Sequence, residues 1–161
     1  MRTYDIQTQV RNAQVTAVAR TTLAVAEFGP WLSKIYPVIA GQLATSHTGP
    51  AGPPFALLRS LGDGRFDVEA GFPATGPLDA EGPFGAVAVL QSELPGGRVA
   101  VTTHVGPYEQ IEPAYQALAA WLIEHGGEPV GDPWEVYLSG PPAEPDPASW
   151  RTEILQPYRQ A

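Results

Sequence analysis

Apolar and polar residues alternate with a two-residue period at 6–10, 15–22, 55–59, 65–72, 86–90, 99–104, 134–138 and 151–155. That period sets successive side chains on opposite faces of an extended chain, so each stretch predicts a β-strand. The period lengthens to three and four residues in two places. One helix is predicted over about 31–46 and a second over about 113–125, where Ile111, Ala114, Tyr115, Leu118, Trp121 and Leu122 make one apolar stripe. Pro113 belongs in the first turn of the second helix, because deeper inside its ring would strike the carbonyl four residues back. Gly126-Gly127 closes that helix, where a left-handed residue is favoured. Gly- and Pro-rich segments at 48–54, 72–85, 94–97 and 139–147 read as the loops between these elements.

The order strand, helix, strand, strand occurs in both halves. Gly29-Pro30-Trp31 opens the first helix, Gly106-Pro107-Tyr108 leads into the second, and His47 and His125 stand at the helix ends. RFDVEAGFP, at 65–73, aligns without a gap on PWEVYLSGP, at 133–141; Phe66 falls on Trp134, Asp67 on Glu135 and Glu69 on Tyr137. These echoes predict an α+β fold of duplicated β-α-β-β units with pseudo-twofold symmetry, antiparallel sheets and one main helix per half. The repeats are expected at about 5–75 and 85–158 within a single domain, 1–161. Each sheet covers one face with its own helix, and the remaining faces form a central ligand groove. The alignment gives Phe66, Val68 and Ala70, and likewise Trp134, Val136 and Leu138, to the helix-covered faces. Asp67, Glu69, Glu135 and Tyr137 are then expected on the groove side, where clustered carboxylates would repel and raise at least one pKa.

A chain of 161 residues can bury a real core, and no apolar run approaches the length of a membrane span. The N-terminus MRTYDIQTQV lacks the basic start and apolar run of a secretory signal, so a cytoplasmic location is expected and no membrane association. Without cysteine there is no disulfide or thiol chemistry. The net charge of −8, with nine scattered basic residues, argues against direct nucleic-acid binding, which needs clustered Lys and Arg. No spacing of His with Asp, Glu or Cys suits a metal, and no Gly-rich phosphate loop follows a strand, so neither metal nor cofactor is expected. His104 reads as a strand-end residue, and His47 and His125 as helix-terminal residues favoured by the dipole.

The motifs H-x-G-P-Y at 104–108, the helix ending in Gly-Gly, W-E-x-Y at 134–137 and T-E-I-x-x-P at 152–157 occur together. In this combination the chain resembles the GyrI-like small-molecule-binding domain, the effector-binding module of AraC-type and multidrug-sensing MerR-type regulators. The resemblance is strongest over about 94–158 and extends in element order over about 8–72. It implies a duplicated β-α-β-β fold and a pocket glutamate in the central strand of the second half, the position of Glu135. It further implies Tyr137 and Tyr108 as lining residues. Trp31, Tyr36, Phe55, Asp67 and Glu69 are additional candidate wall residues from the first half, whereas Trp121 and Trp134 read as core.

Two functions from different classes follow from the resemblance. One is a stand-alone binding protein for a hydrophobic, aromatic or cationic small molecule, acting in drug sensing or sequestration as a monomer or homodimer. A carboxylate among aromatic rings suits a delocalised cation, which gains from both the charge and the ring faces. No helix-turn-helix pattern is present, so DNA contact is expected only through a partner. The other is a hydrolase of cyclopropane-bearing DNA-alkylating natural products, with Glu135 activating water and Tyr137 or Tyr108 meeting the developing oxyanion. Inhibition of DNA gyrase is a third family role, disfavoured by the modest charge.

Overall fold

All eight alternating stretches form strands in the computed structural model, which describes residues 4–45, 49–78, 82–84, 87–139 and 145–161. His47, Ala86 and parts of the loops at 48–54, 72–85 and 139–147 lie outside the described residues. In chain order the elements are β1 (Gln7–Arg11), β2 (Gln14–Ala24), α1 (Phe28–Thr45), β3 (Phe55–Ser60), β4 (Arg65–Pro73), β5 (Gly82–Phe84) and β6 (Val87–Leu94). There follow β7 (Gly97–Val105), α2 (Glu112–Glu124), β8 (Gly127–Pro129), β9 (Trp134–Ser139) and β10 (Arg151–Gln160). The three-residue strands β5 and β8 are too short to show a period. Pro113 lies in the first turn of α2 as expected. Gly126, just past the helix, has a φ of 69°, the left-handed conformation that its position requires.

The fold is α+β, with antiparallel pairing throughout and two main helices. The chain forms two compact units. The first, residues 13–95, has the strand order β3-β4-β2-β6-β5. Its helix α1 buries Ile35, Ile39 and Leu43. Ring contacts of Phe28 with Phe66 and Tyr36 with Phe72, each at 5.6 Å, identify the Phe66/Val68/Ala70 side as the helix-covered face. The second unit, residues 1–12 and 96–161, has the order β9-β10-β7-β1, with β8 pairing to the end of β10. Here α2 buries Ala114, Leu118 and Leu122 against Ala100, Ile154 and Tyr158, with Tyr4 and Ile6 packed alongside.

Both units therefore build the same motif. A first strand (β2 or β7) is followed by a helix, then by an outer strand (β3 or β9) and a central one (β4 or β10). Their boundaries differ from the expected repeats at 5–75 and 85–158. Strand β1 pairs with β7, from Gln7 opposite Val101 to Arg11 opposite Gly97, and β6 pairs with β2. Pairing follows which strand edge is available in space, and chain order does not record that.

The topology also corrects the face assignment in the second unit. Strand β4 is central, so its counterpart is β10, with Arg65-Phe66-Asp67-Val68 matching Arg151-Thr152-Glu153-Ile154. The counterpart of β9 is β3. The gapless match of RFDVEAGFP to PWEVYLSGP thus set a central strand on an outer one, and the parity it transferred was wrong. Glu135 stands directly opposite Ile154, which lies in the core beneath α2, and opposite residues share a face. Glu135 and Tyr137 consequently point to the α2 side. Trp134, 1% exposed, is buried on the other face. In the first unit the expected assignment holds, with Asp67 and Glu69 on the face away from α1.

Candidate functional site

Two rungs of the second unit carry polar side chains beneath α2. One rung runs Thr102, Ile154, Glu135 and the next His104, Thr152, Tyr137, across β7, β10 and β9. A bulge follows, where Arg151 pairs with Ser139 and leaves Leu138 as the extra residue. Helix α2 adds Tyr115, one position after the buried Ala114, so its ring lies at the edge of the apolar stripe and its hydroxyl reaches the sheet.

Glu135 is 8% exposed and accepts from two phenols, Tyr115 to Oε2 and Tyr137 to Oε1, the latter at 3.0 Å. Tyr108 occupies a short 3-10 turn after Gly106, whose φ of 130° turns the chain out of β7. Its ring meets that of Tyr137 edge-on at 5.7 Å and stacks on Trp150 at 5.0 Å. The Gly106 amide donates to the Trp150 carbonyl at 2.8 Å, which ties the end of β7 to the residue before β10. Three half-buried aromatic rings and a buried acid thus converge.

Burial raises the Glu135 pKa above its ordinary value, and the two phenol hydrogen bonds oppose the rise. Desolvation acts here in place of the repulsion from Asp67 and Glu69 anticipated above. The Tyr115 hydroxyl is pushed far above its ordinary range by burial first and by the Glu135 charge second. The same causes, in the same order, raise Tyr108. Tyr115 and Tyr108 therefore remain protonated at neutral pH. No basic side chain among the described residues pairs with Glu135.

His104 is fully buried, with Nε2 2.9 Å from the Pro107 carbonyl and Nδ1 3.1 Å from the Tyr4 hydroxyl. A carbonyl can only accept, so Nε2 carries a proton, and in the neutral ring Nδ1 accepts from Tyr4. It is more than the strand-end residue expected. It holds the Gly106-Pro107 turn that delivers Tyr108.

The five candidates from the first half lie in the first unit. Trp31 and Tyr36 are half-buried in α1, and the Tyr36 hydroxyl donates to the carbonyl of the buried Phe55 at 3.0 Å. Asp67 accepts from Thr22 at 2.7 Å and pairs with Arg59; the Thr22 bond and then Arg59 hold its pKa below the usual carboxylate value. Glu69 pairs with Arg20 at 2.6 Å and accepts from Ser92 at 3.2 Å. Both acids already have partners within their own sheet.

The second unit brings together Glu135, Tyr137 and Tyr108 as expected, and adds Tyr115 and Trp150. Tyr115 counted only as part of the apolar stripe, because a tyrosine ring packs like any hydrophobe and its hydroxyl target is distant in sequence. Trp150 lies just before T-E-I, and its stacking on Tyr108 had no local signal. Among the described residues no group of three His, Cys, Asp or Glu side chains is placed to hold a metal ion. No described helix is long and apolar enough to cross a membrane.

The family model of the GyrI-like small molecule binding domain matches residues 62–159, more than half of the chain, and the chain belongs to this family. No curated protein sequence matches it. Among solved structures, the chain is similar to EcmrR in its DNA complex (TM-score 0.79, 22% identity), with 98% of this chain covering 58% of that one. The EcmrR C-terminal domain alone is matched over 99% of its length and 98% of this chain, at TM-score 0.74 and 20% identity. A hydrolase from Listeria innocua is similar at TM-score 0.65 and 12% identity, over 96% of this chain and 91% of that one. SAV2435 bound to tetraphenylphosphonium is similar at TM-score 0.63 and 13% identity, over 98% and 94%. At these identities the likenesses bear on the fold.

Proposed function

We propose that this GyrI-like domain binds an aromatic organic cation, with Glu135 as the counter-charge and Tyr108, Tyr137 and Trp150 as the surrounding rings, in drug sensing or sequestration. The observation that carries the reading is a carboxylate 8% exposed, among aromatic rings, that no basic side chain among the described residues neutralises. Its charge is costly while unpaired in such surroundings. A delocalised cation sheds its own hydration cheaply and is attracted by the acid and by the ring faces together. That SAV2435 takes tetraphenylphosphonium on a similar fold makes this ion the natural probe. Calorimetric titration should show wild-type protein binding tetraphenylphosphonium and Glu135→Gln binding it at least about tenfold more weakly, the scale of one lost charge-assisted interaction. Equal affinity in the two proteins would sink the reading.

A second reading is hydrolysis of a cyclopropane-bearing alkylator. It is favoured by one observation: a carboxyl raised above its ordinary pKa and held between two phenols suits general acid–base work. Mass spectrometry after incubation with such an alkylator separates the readings. A product heavier by one water, absent with Glu135→Gln, selects the enzyme; a thermal shift with unchanged mass selects the binding protein.

A further inference from the structure

Thr152 sits on β10 between Tyr137 on one side and His104 on the other, on the face beneath α2. It is 0% exposed, and its hydroxyl has no hydrogen-bond partner among the described residues. A threonine buried in a sheet ordinarily satisfies its hydroxyl from a neighbour, and unpaired buried polar groups are rare and costly. Here the neighbours are committed. Both His104 nitrogens are taken, by Tyr4 and by the Pro107 carbonyl. The Tyr137 hydroxyl proton goes to Glu135. The corresponding residue of the first unit, matched through Arg65 and Arg151, is Phe66, which packs its ring against Phe28. An apolar side chain therefore suits this position of the motif, and the second unit instead places there a hydroxyl without a partner among the described residues.

We infer that Thr152 is a specificity residue of the Glu135 site, reserved for a hydrogen-bonding group on the ligand. The inference rests on the cation reading above and narrows its ligand class. Glu135 meets the positive charge, and Thr152 meets an oxygen or nitrogen elsewhere on the same molecule. Diagonal neighbours on adjacent antiparallel strands stand roughly 7–8 Å apart, so the polar group lies about one aromatic ring away from the cationic centre. The preferred ligand is thus an aromatic cation bearing a hydroxyl, carbonyl or similar group, in place of a purely hydrocarbon one. The ring of Tyr108 packs on that of Tyr137, the cross-strand neighbour of Thr152, and must shift to admit that group.

A matched pair of probes tests this: tetraphenylphosphonium, which has no hydrogen-bonding group, and (4-hydroxyphenyl)triphenylphosphonium, which differs by one hydroxyl. Titration of wild type, Thr152→Val and Thr152→Ser with both is the experiment, with thermal melting of each variant as the control for folding. The expected result is unchanged tetraphenylphosphonium affinity in Thr152→Val, a roughly five- to tenfold loss for the hydroxylated probe, and recovery in Thr152→Ser. Equal affinities of Thr152→Val and wild type for the hydroxylated probe, with or without a gain in Tm, overturn the inference and leave the hydroxyl a packing residue. A parallel loss of both probes overturns it too, because a shape effect would act on either. Glu135→Gln separates the two proposals: it should weaken both probes alike whatever Thr152 does. If neither probe binds the wild type, the cation reading fails and this inference fails with it.

Discussion

The two units follow one plan and fill it with opposite chemistry. Beneath α1 the rungs read Thr21, Val68, Leu58 and then Leu23, Phe66, Ser60. Beneath α2 the matching rungs read Thr102, Ile154, Glu135 and then His104, Thr152, Tyr137. The helices correspond as well: Ile35, Ile39 and Leu43 occupy the places of Ala114, Leu118 and Leu122, and each set is accompanied by a tyrosine one residue after its first member. Tyr36 donates to a backbone carbonyl and Tyr115 to a buried carboxylate. One unit closes its helix–sheet interface mainly with apolar side chains and no acid on these rungs. The other replaces Leu58 with an acid and supports that acid with phenols. Stability alone would favour the first solution twice, since a buried charge is generally weaker than good apolar packing. The polar version is where the proposed cation site lies.

The largest test imposes the second chemistry on the first unit. Leu58 is 9% exposed and faces α1 in the place that Glu135 takes beneath α2. Leu58→Glu buries a carboxylate where Tyr36 is turned to the Phe55 carbonyl, and should destabilise the protein on the order of 3–5 kcal/mol in urea unfolding at neutral pH. A loss below about 1 kcal/mol would mean that the position tolerates charge without phenol support, and the contrast between the units would collapse.

The reverse exchange comes next, at Glu135. Glu135→Gln keeps an acceptor for the phenols and removes the charge, so cation affinity should fall about ten- to a hundredfold while stability at neutral pH rises. The pH dependence follows from the raised pKa. The folded protein holds the Glu135 proton more tightly than the unfolded chain does. This contribution is fully present below the ordinary value of 4.5 and is lost as pH rises through the folded pKa, with a slope of at most about 1.4 kcal/mol per pH unit. Cation binding has the opposite sense and strengthens over the same rise, as Glu135 ionises. In melting curves and titrations across that range, the stability of wild type relative to Glu135→Gln should fall as pH rises, and the difference in cation affinity should grow.

Most elements were legible because periodicity is local. Eight strands and two helices follow from residues close together in the chain, and Glu135 follows from a short motif. The misread face of β9 shows where local information ends. RFDVEAGFP and WEVYLSGP look alike, yet β4 is flanked on both sides in its unit and β9 is an outer strand of its own. Only the pairing of Ile154 with Glu135 and Val68 with Leu58 sets the copies in register. The Tyr115 partner of Glu135 was hidden for the same reason, since it is 20 residues away and its hydroxyl leaves no periodic trace.

The smallest test compares the two helix tyrosines, which sequence patterning treats as equals. Tyr36→Phe removes a neutral hydrogen bond to the Phe55 carbonyl and should cost about 0.5–1.5 kcal/mol, with no change in cation binding. Tyr115→Phe removes a bond to a carboxylate and should cost about 1.5–3 kcal/mol once Glu135 is ionised, less when it is protonated. The informative difference lies in the pH profile. The Tyr115 bond favours the charged form of Glu135, so its loss raises that pKa further and moves the onset of cation binding to higher pH. Tyr36→Phe leaves the onset where it was. Titration of tetraphenylphosphonium against both variants over a range of pH reads this directly. If the onset moves equally in both, or in neither, Tyr115 is a packing residue like its counterpart, and the acid depends on burial and Tyr137 alone.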